Sequence, residues 1–414
     1  MRLAIDLRFY RPEPYGLAVH IRDLLSKLIP MLEASEVIEE VVLILDQRIK
    51  SEPLDKYLDW WKKVEQSKKI KPYFSTSKYY TFREQTGFLR ELYDLKLDLV
   101  YFFTFNFPVL YTKPYLYQVL DLSIPKTRSQ LSIKVQAMLL CFRVGVRNAK
   151  QILFLGKNTR KDAEHFSGMN FTDKNSSDYK SNTIIYNGIN PIYLTTDSAD
   201  SKKAEIANLT FSKQKESELK DMKKTYGISK PYFFFVSVWR KYKNIERLAQ
   251  AFDRFNRENG GKYQLVLGGG QDHKYPEILQ NITQLEQYKQ KNIIITGRIE
   301  KDSDVIALYD GAQALVAPSL SEGFGLWMVE AASRGVPVIA SDIDIFHEIA
   351  AEDIIYFDPT SVSDIQNKLA EFTTLTSTQK KEMVKKLIIN TKKFRWEVTA
   401  KTIIDTIEST YEQV

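Results

Sequence analysis

Short apolar runs rich in β-branched and aromatic side chains alternate along most of the chain with stretches whose apolar positions recur every three or four residues. The first periodicity predicts strands and the second amphipathic helices. In the first half the strand pattern falls at 2–6, 41–45, 99–103, 115–120, 151–155 and 183–186, and Val19, Leu24, Leu25 and Leu28 form an apolar helical stripe after the first strand. In the second half it falls at 232–238, 263–267, 293–296, 314–317 and 336–340, with helices expected over 244–257, 303–309, 325–334 and 396–411. Gly335 is placed to end the 325–334 helix, and Pro337 stops its continuation. Charged stretches at 33–40 and 62–71 read as loops or solvated helix surface. Strand–helix alternation of this kind argues for parallel sheets covered by helices on both faces.

At 414 residues the chain exceeds one ordinary core and suggests two domains. Between 171 and 230 the composition shifts to Asp, Lys, Ser and Asn, interrupted by one apolar run and the turn signal Tyr186-Asn187-Gly188. The expected division is therefore a first domain over 1–195, an insertion or linker over 196–230, a second domain over 231–395, and a last helix over 396–414 crossing back to the first domain.

Composition narrows the class. A hydrophobic fraction of 43% and a charged fraction of 27% suit a soluble globular protein. The apolar run at 232–239 is too short to cross a bilayer. The opening residues lack the apolar segment of a signal peptide, and Cys141 alone excludes an internal disulfide. These features lead to an expectation of a cytoplasmic protein. The net charge of +7 is uneven. Lys113, Lys126, Arg128, Lys134, Arg143, Arg147, Lys150, Lys157 and Arg160 face only Asp121 among acids between 111 and 160. Such a patch is either a solvated helix face or a surface for anionic headgroups at the inner membrane face or for an anionic substrate. Nucleic acid is not expected, because no zinc-knuckle, basic-zipper or RNA-recognition pattern accompanies it. His20, His165, His273 and His347 are scattered without metal-ligand spacing, and Asp342 and Asp344 read as an N-cap. No metal and no cofactor is expected.

The most informative stretch is strand, loop, helix, strand over 314–340. The amides of Phe324, Gly325 and Leu326 fall at a helix start, where N–H groups lack intrahelical partners and the dipole favours anions. Gly323 and Gly325 allow close approach of a ligand to the backbone. Glu322 precedes the helix and Glu330 lies inside it, separated by at most roughly 12 Å along the axis. That is about the reach from the sugar of a nucleotide sugar to its ribose.

Pro318-Ser319-Leu320-Ser321-Glu322-Gly323-Phe324-Gly325-Leu326, then Glu330-Ala331-Ala332 and Gly335-Val336-Pro337, resembles the E-x7-E donor motif of the family 4 glycosyltransferases, including bacterial mannosyl- and rhamnosyltransferases. The resemblance implies the GT-B fold, an α/β architecture of two Rossmann-like, doubly wound parallel-sheet domains facing a central cleft. It implies retention without a metal or an obligatory enzyme nucleophile. Trp239-Arg240-Lys241-Tyr242-Lys243-Asn244 resembles the family's diphosphate element, which makes Lys243 the phosphate lysine, and Arg240 is the available second cation. Leu265-Val266-Leu267-Gly268-Gly269-Gly270 either matches the family's glycine element or forms a turn. Arg298, in the loop resembling the base contact, either touches the base or closes a strand-end turn. In the first domain, Gly16 matches the glycine loop facing the donor phosphate, while Tyr186-Asn187-Gly188 reads as structural. The chain departs from the pattern at Leu120-Asp121, where many relatives carry His-Asp. Asp121 is then either a proton acceptor or a strand-end cap.

The expectation is transfer of a hexose or deoxyhexose from an NDP-sugar to a hydroxyl of a glycan or lipid-linked oligosaccharide. The site comprises Glu322, Lys243, Arg240 and Asp121 for catalysis, and Gly16, Gly323, Phe324, Gly325, Leu326, Glu330 and Arg298 for donor binding. The departure at Leu120 supports an alternative, a catalytically silent subunit binding a partner transferase or a glycan. A sugar-nucleotide epimerase fits the architecture but not the glutamate spacing.

Overall fold

The computed structural model describes every residue except 13–15, 80, 105, 123–131, 195–216 and 414. The chain divides into two compact units, Met1–Gly188 with Phe394–Val414, and Ile189–Lys393. Most of the expected linker, including 196–216, lies outside the described residues, as do Lys126 and Arg128 of the basic patch.

The first unit holds a seven-stranded sheet of β1 (Arg2–Asp6), β2 (Glu40–Asp46), β3 (Ile70–Ser75), β4 (Leu99–Phe102), β5 (Tyr115–Val119), β6 (Gln151–Leu155) and β7 (Asn182–Ile185). Its order is β3-β2-β1-β4-β5-β6-β7 and every pairing is parallel. The central strands are buried on both faces, which is why they read as continuous apolar runs. The last helix, Trp396–Glu412, packs on the first, Gly16–Ala34. Trp396 meets the His20 ring edge-on at 5.2 Å, and Lys27 pairs with Glu397 at 3.0 Å.

The second unit holds a six-stranded sheet of β8 (Tyr232–Val236), β9 (Gln264–Gly268), β10 (Ile293–Gly297), β11 (Ala314–Ala317), β12 (Val338–Ser341) and β13 (Ile355–Phe357). Its order is β10-β9-β8-β11-β12-β13, again all parallel. Phe233, Phe235, Leu265, Leu267 and Val316 form its core with Leu248, Phe252 and Phe255 of the Ile245–Glu258 helix. In both sheets the winding direction reverses beside the first strand, between β1 and β4 and between β8 and β11. The carboxyl ends of strands flanking such a reversal open a crevice that neither crossover covers.

Two sequence expectations change. The 62–71 stretch holds a helix over Trp61–Gln66, within the expectation of loop or solvated helix surface, but it runs on into the start of β3. As an edge strand containing Pro72 and the exposed Lys71, β3 lacks the apolar pattern of its neighbours. The helix after β12 runs Asp344–Ala350 with Ile343 at its N-cap and no side-chain cap bond. Asp342 instead meets His347 Nε2 at 2.7 Å.

Candidate functional site

In the second unit, the loops leaving β8 and β11 emerge at the reversal point. Β-strand ends alone do not fix their shape; a series of backbone bonds does. Gly269 N–H donates to the Gly297 carbonyl at 2.9 Å, Ser237 N–H to Gly268 at 3.3 Å, and Trp239 N–H to Gly270 at 2.9 Å. Gly269 sits at φ +104°, and a Cβ there would lie 1.8 Å from the Ser237 carbonyl oxygen. The glycine element is thus a close backbone crossing under the β8 loop, where no side chain fits.

That loop continues through a short 3₁₀ turn at Lys241–Lys243 into the Ile245–Glu258 helix. Asn244 bridges them in the left-handed region, φ +58°, a conformation its short polar side chain tolerates. Its buried Nδ2 donates to the Pro318 carbonyl at 2.9 Å and to the Pro359 carbonyl at 2.7 Å, joining the loops that follow β8, β11 and β13. Leu320 N–H donates to the Tyr242 carbonyl at 2.7 Å. These bonds set Lys243 against the β11 loop.

Lys243 Nζ donates to Glu322 Oε1 at 2.5 Å, and Ser319 Oγ donates to the same oxygen at 2.6 Å. Lys243 lies 5.7 Å from the Trp327 ring centroid. Glu322 precedes Gly325, the N-cap of the Leu326–Ser333 helix, at φ +92°. A Cβ at Gly325 would approach Phe346 Cε1 to 3.0 Å. Phe324 is buried, and Gly323 and Leu326 are half-buried. Glu330 lies one helical turn from the helix end, and its Oε2 accepts from the Tyr309 hydroxyl at 3.0 Å. Burial, and then the charge of Glu330, raise the Tyr309 pKa well above that of a free phenol, so it stays a hydrogen-bond donor. A cation on the β8 loop, set against the helix N-terminus and the two carboxylates of the β11 loop and helix, suits a ligand with an anionic centre and hydroxyls on either side of it.

The other expected cations are more exposed. Arg240 Nε faces Asp272 Oδ2 at 3.4 Å with half of its side chain exposed. Arg298 pairs with Glu300 at 3.2 Å. Gly16 and Asp121 belong to the first unit, Gly16 as the first residue of its helix and Asp121 half-buried just beyond β5.

The first unit holds two buried polar networks that the sequence did not reveal. At the reversal between β1 and β4, fully buried Arg8 forms a fork to Asp6 at 2.8 and 2.9 Å and also reaches Glu84 at 2.8 Å. Asn106 donates to Glu84 at 2.8 Å, and the Arg8 guanidinium lies over Phe88 at 3.2 Å. Glu84 opens a π-helical turn, Glu84–Phe88. In the second network, His20 Nδ1 meets Asn187 Oδ1 at 2.5 Å and its Nε2 meets Gln118 Nε2 at 3.4 Å. The Tyr101 hydroxyl donates to Gln118 Oε1, which turns the Gln118 amide towards the histidine. Burial lowers the His20 pKa to about 4, and the Asn187 bond only partly opposes this. The Asn-Gly turn is therefore part of the core of its own unit. The signals available in the sequence were an acid and an arginine at the end of the first strand and a histidine on an apolar helix face.

Residues 218–394 match the family described as Glycosyl transferases group 1. Over 205 residues the chain is 30% identical to the serotype-specific mannosyltransferase WbdA of Escherichia coli, covering 49% of this chain and 24% of that protein. It is 26% identical to the O-antigen chain mannosyltransferase RfbU of Salmonella typhimurium over 52% of this chain and 53% of that protein. The match thus spans about a quarter of the length of one relative and half of the other. Among solved structures, HepE of Anabaena in complex with UDP is similar with a TM-score of 0.68, 15% identity and 99% of each chain covered. WaaG, a glycosyltransferase involved in lipopolysaccharide biosynthesis, is similar with a TM-score of 0.67, 14% identity, and 98% of this chain and 99% of that chain covered. These likenesses extend over both units and give the chain the GT-B fold of two Rossmann-like units. The glutamate-bearing loop and helix of β11 lie inside the region, residues 218–394, that matches the glycosyl transferases group 1 family.

Proposed function

We propose that the chain is a retaining, metal-independent glycosyltransferase that moves a hexose or deoxyhexose from an NDP-sugar to a hydroxyl of a glycan or lipid-linked acceptor. The observation that carries this reading is the Lys243–Glu322 pair at the β8/β11 reversal, beside a helix that bears Glu330. The names of its relatives support it: WbdA and RfbU are mannosyltransferases, and HepE was solved with UDP. On donor binding Lys243 exchanges its carboxylate partner for the diphosphate. Glu322, still held by Ser319, accepts from the sugar hydroxyls. Glu330, oriented by Tyr309, accepts from the ribose. Arg240 supplies the second positive charge once it leaves Asp272. Lys243, Arg240 and the helix amides stabilise the charge growing on the leaving diphosphate, and front-face attack needs no enzyme nucleophile. Asp121 is the candidate to take the acceptor proton. The expected location is cytoplasmic, peripheral at an anionic membrane face.

Incubating the protein with a panel of NDP-sugars and following products by mass tests the reading. Transfer with retention from one donor, reduced a hundredfold or more by Glu322→Gln, is the expected result (about 2.7 kcal/mol or more of transition-state stabilisation). Absence of binding to every nucleotide sugar by calorimetry would instead favour the silent subunit.

A further inference from the structure

The Ile133–Asn148 helix of the first unit buries one apolar stripe and exposes apolar residues on the first half of its opposite face; further along that face Val144 packs against the core. Val135, Leu139, Phe142 and Val146 point inward and join the core of the first sheet. At 3.6 residues per turn the opposite face is centred on Ile133, Ala137 and Leu140. Ile133 is 86% exposed and Leu140 59% exposed, while Ala137 is exposed as well. The helix contains no acidic residue. Lys134 and Arg147 are exposed, as is Lys150 just beyond the helix. Arg143, on the same side as Arg147, is anchored by a 2.9 Å bond from its Nε to the Phe166 carbonyl. No helix among the described residues is long and apolar enough to cross a membrane.

We infer that the outer face of this helix is the lipid-contacting element, with Ile133 and Leu140 entering the headgroup–acyl boundary of an anionic membrane. The inference rests on the peripheral-membrane reading above and not on the transfer chemistry. Exposed apolar residues on a helix whose charged side chains are all basic match the two demands of an anionic bilayer, burial of apolar area and neutralisation of headgroup charge. A second copy of the same face is a poor partner, because its cations would meet those of the first. The orientation that results lays the helix parallel to the membrane with the first sheet above it.

The test is flotation of the full chain with neutral vesicles and with vesicles holding about 30 mol% anionic lipid, at about 0.05 M and 0.5 M salt. The wild-type protein should float with the anionic vesicles at low salt and much less at high salt. Ile133→Gln/Leu140→Gln should lower the partition coefficient by about tenfold or more. Lys134→Glu/Arg147→Glu, a purely surface change, should lower it similarly and remove the salt dependence. Unchanged unfolding midpoints and unchanged nucleotide binding exclude misfolding as the cause. If the wild type floats and both variants float equally well, this helix is not the contact although the peripheral reading stands. If the wild type fails to float at low salt, both are overturned. If Ile133→Gln/Leu140→Gln abolishes concentration-dependent dimerisation in sedimentation without altering flotation, the face is a protein interface and the inference is wrong.

Discussion

Lys243 Nζ and Glu322 Oε1 lie 2.5 Å apart, each side chain only 8% exposed, although 79 residues separate them in the sequence. The pair ties the β8 loop to the β11 loop across the reversal point of the sheet. Each group holds the other in the position where an anionic ligand and its hydroxyls would need them.

Breaking one side of such a pair leaves an uncompensated buried charge, which costs about 3–5 kcal/mol, whereas removing both is far milder. Lys243→Met should therefore destabilise the second unit more than Lys243→Met/Glu322→Gln does. Urea unfolding of wild type, single and double variants measures the coupling, expected at about 1–3 kcal/mol. A double variant destabilised by the sum of the Lys243→Met and Glu322→Gln effects would show that the two side chains do not interact.

Tyr309→Phe removes the hydroxyl that orients Glu330. A hydrogen bond to a charged group contributes about 1.5–3 kcal/mol. Nucleotide affinity, read by calorimetry with the donor identified by the screen, should fall about tenfold, with the maximal turnover changed much less. A variant that binds the nucleotide like wild type would remove Glu330 from the ribose position.

His20 is neutral in the fold, with a pKa of about 4 against about 6.5 when exposed. Between these values the unfolded chain binds the additional proton, so stability rises with pH across that window. It is fully present above about 6.5 and declines by up to about 3 kcal/mol as pH falls to about 4. His20→Gln should flatten this dependence in denaturation curves collected between the two limits. The same slope in both proteins would mean that His20 is not the group responsible.

Arg8 separates two buried carboxylates, Asp6 and Glu84. Arg8→Met leaves both without their shared cation and should cost the first unit at least about 3–5 kcal/mol. Glu84→Gln keeps the Asp6 fork intact and should cost less. Thermal unfolding of the two variants gives the order, and a reversed order would contradict the assigned network.

Much of the second unit was legible because its strands are short apolar runs whose ends coincide with glycines and prolines. The 314–317 strand agrees with β11 at both ends, and the expected helix after it is one residue longer at either end than the observed Leu326–Ser333. β3 was missed because an edge strand with one solvated face and a proline has no continuous apolar run, and β13 because three residues carry no period. Spacing places Glu322 just before one helix and Glu330 within it, since that relationship is local. It does not reveal that Arg240 faces Asp272, that Asn244 joins three loops, or that His20 contacts Asn187 across 167 residues, because those partners are brought together only by sheet order.

The backbone bonds running from Gly297 through Gly269 to Ser237 make the loops after β10, β9 and β8 a single mechanical part. Exchanging the β10 loop alone with that of a relative, in order to alter the nucleotide accepted, would disturb the support beneath Lys243. A working graft has to transfer the three loops together.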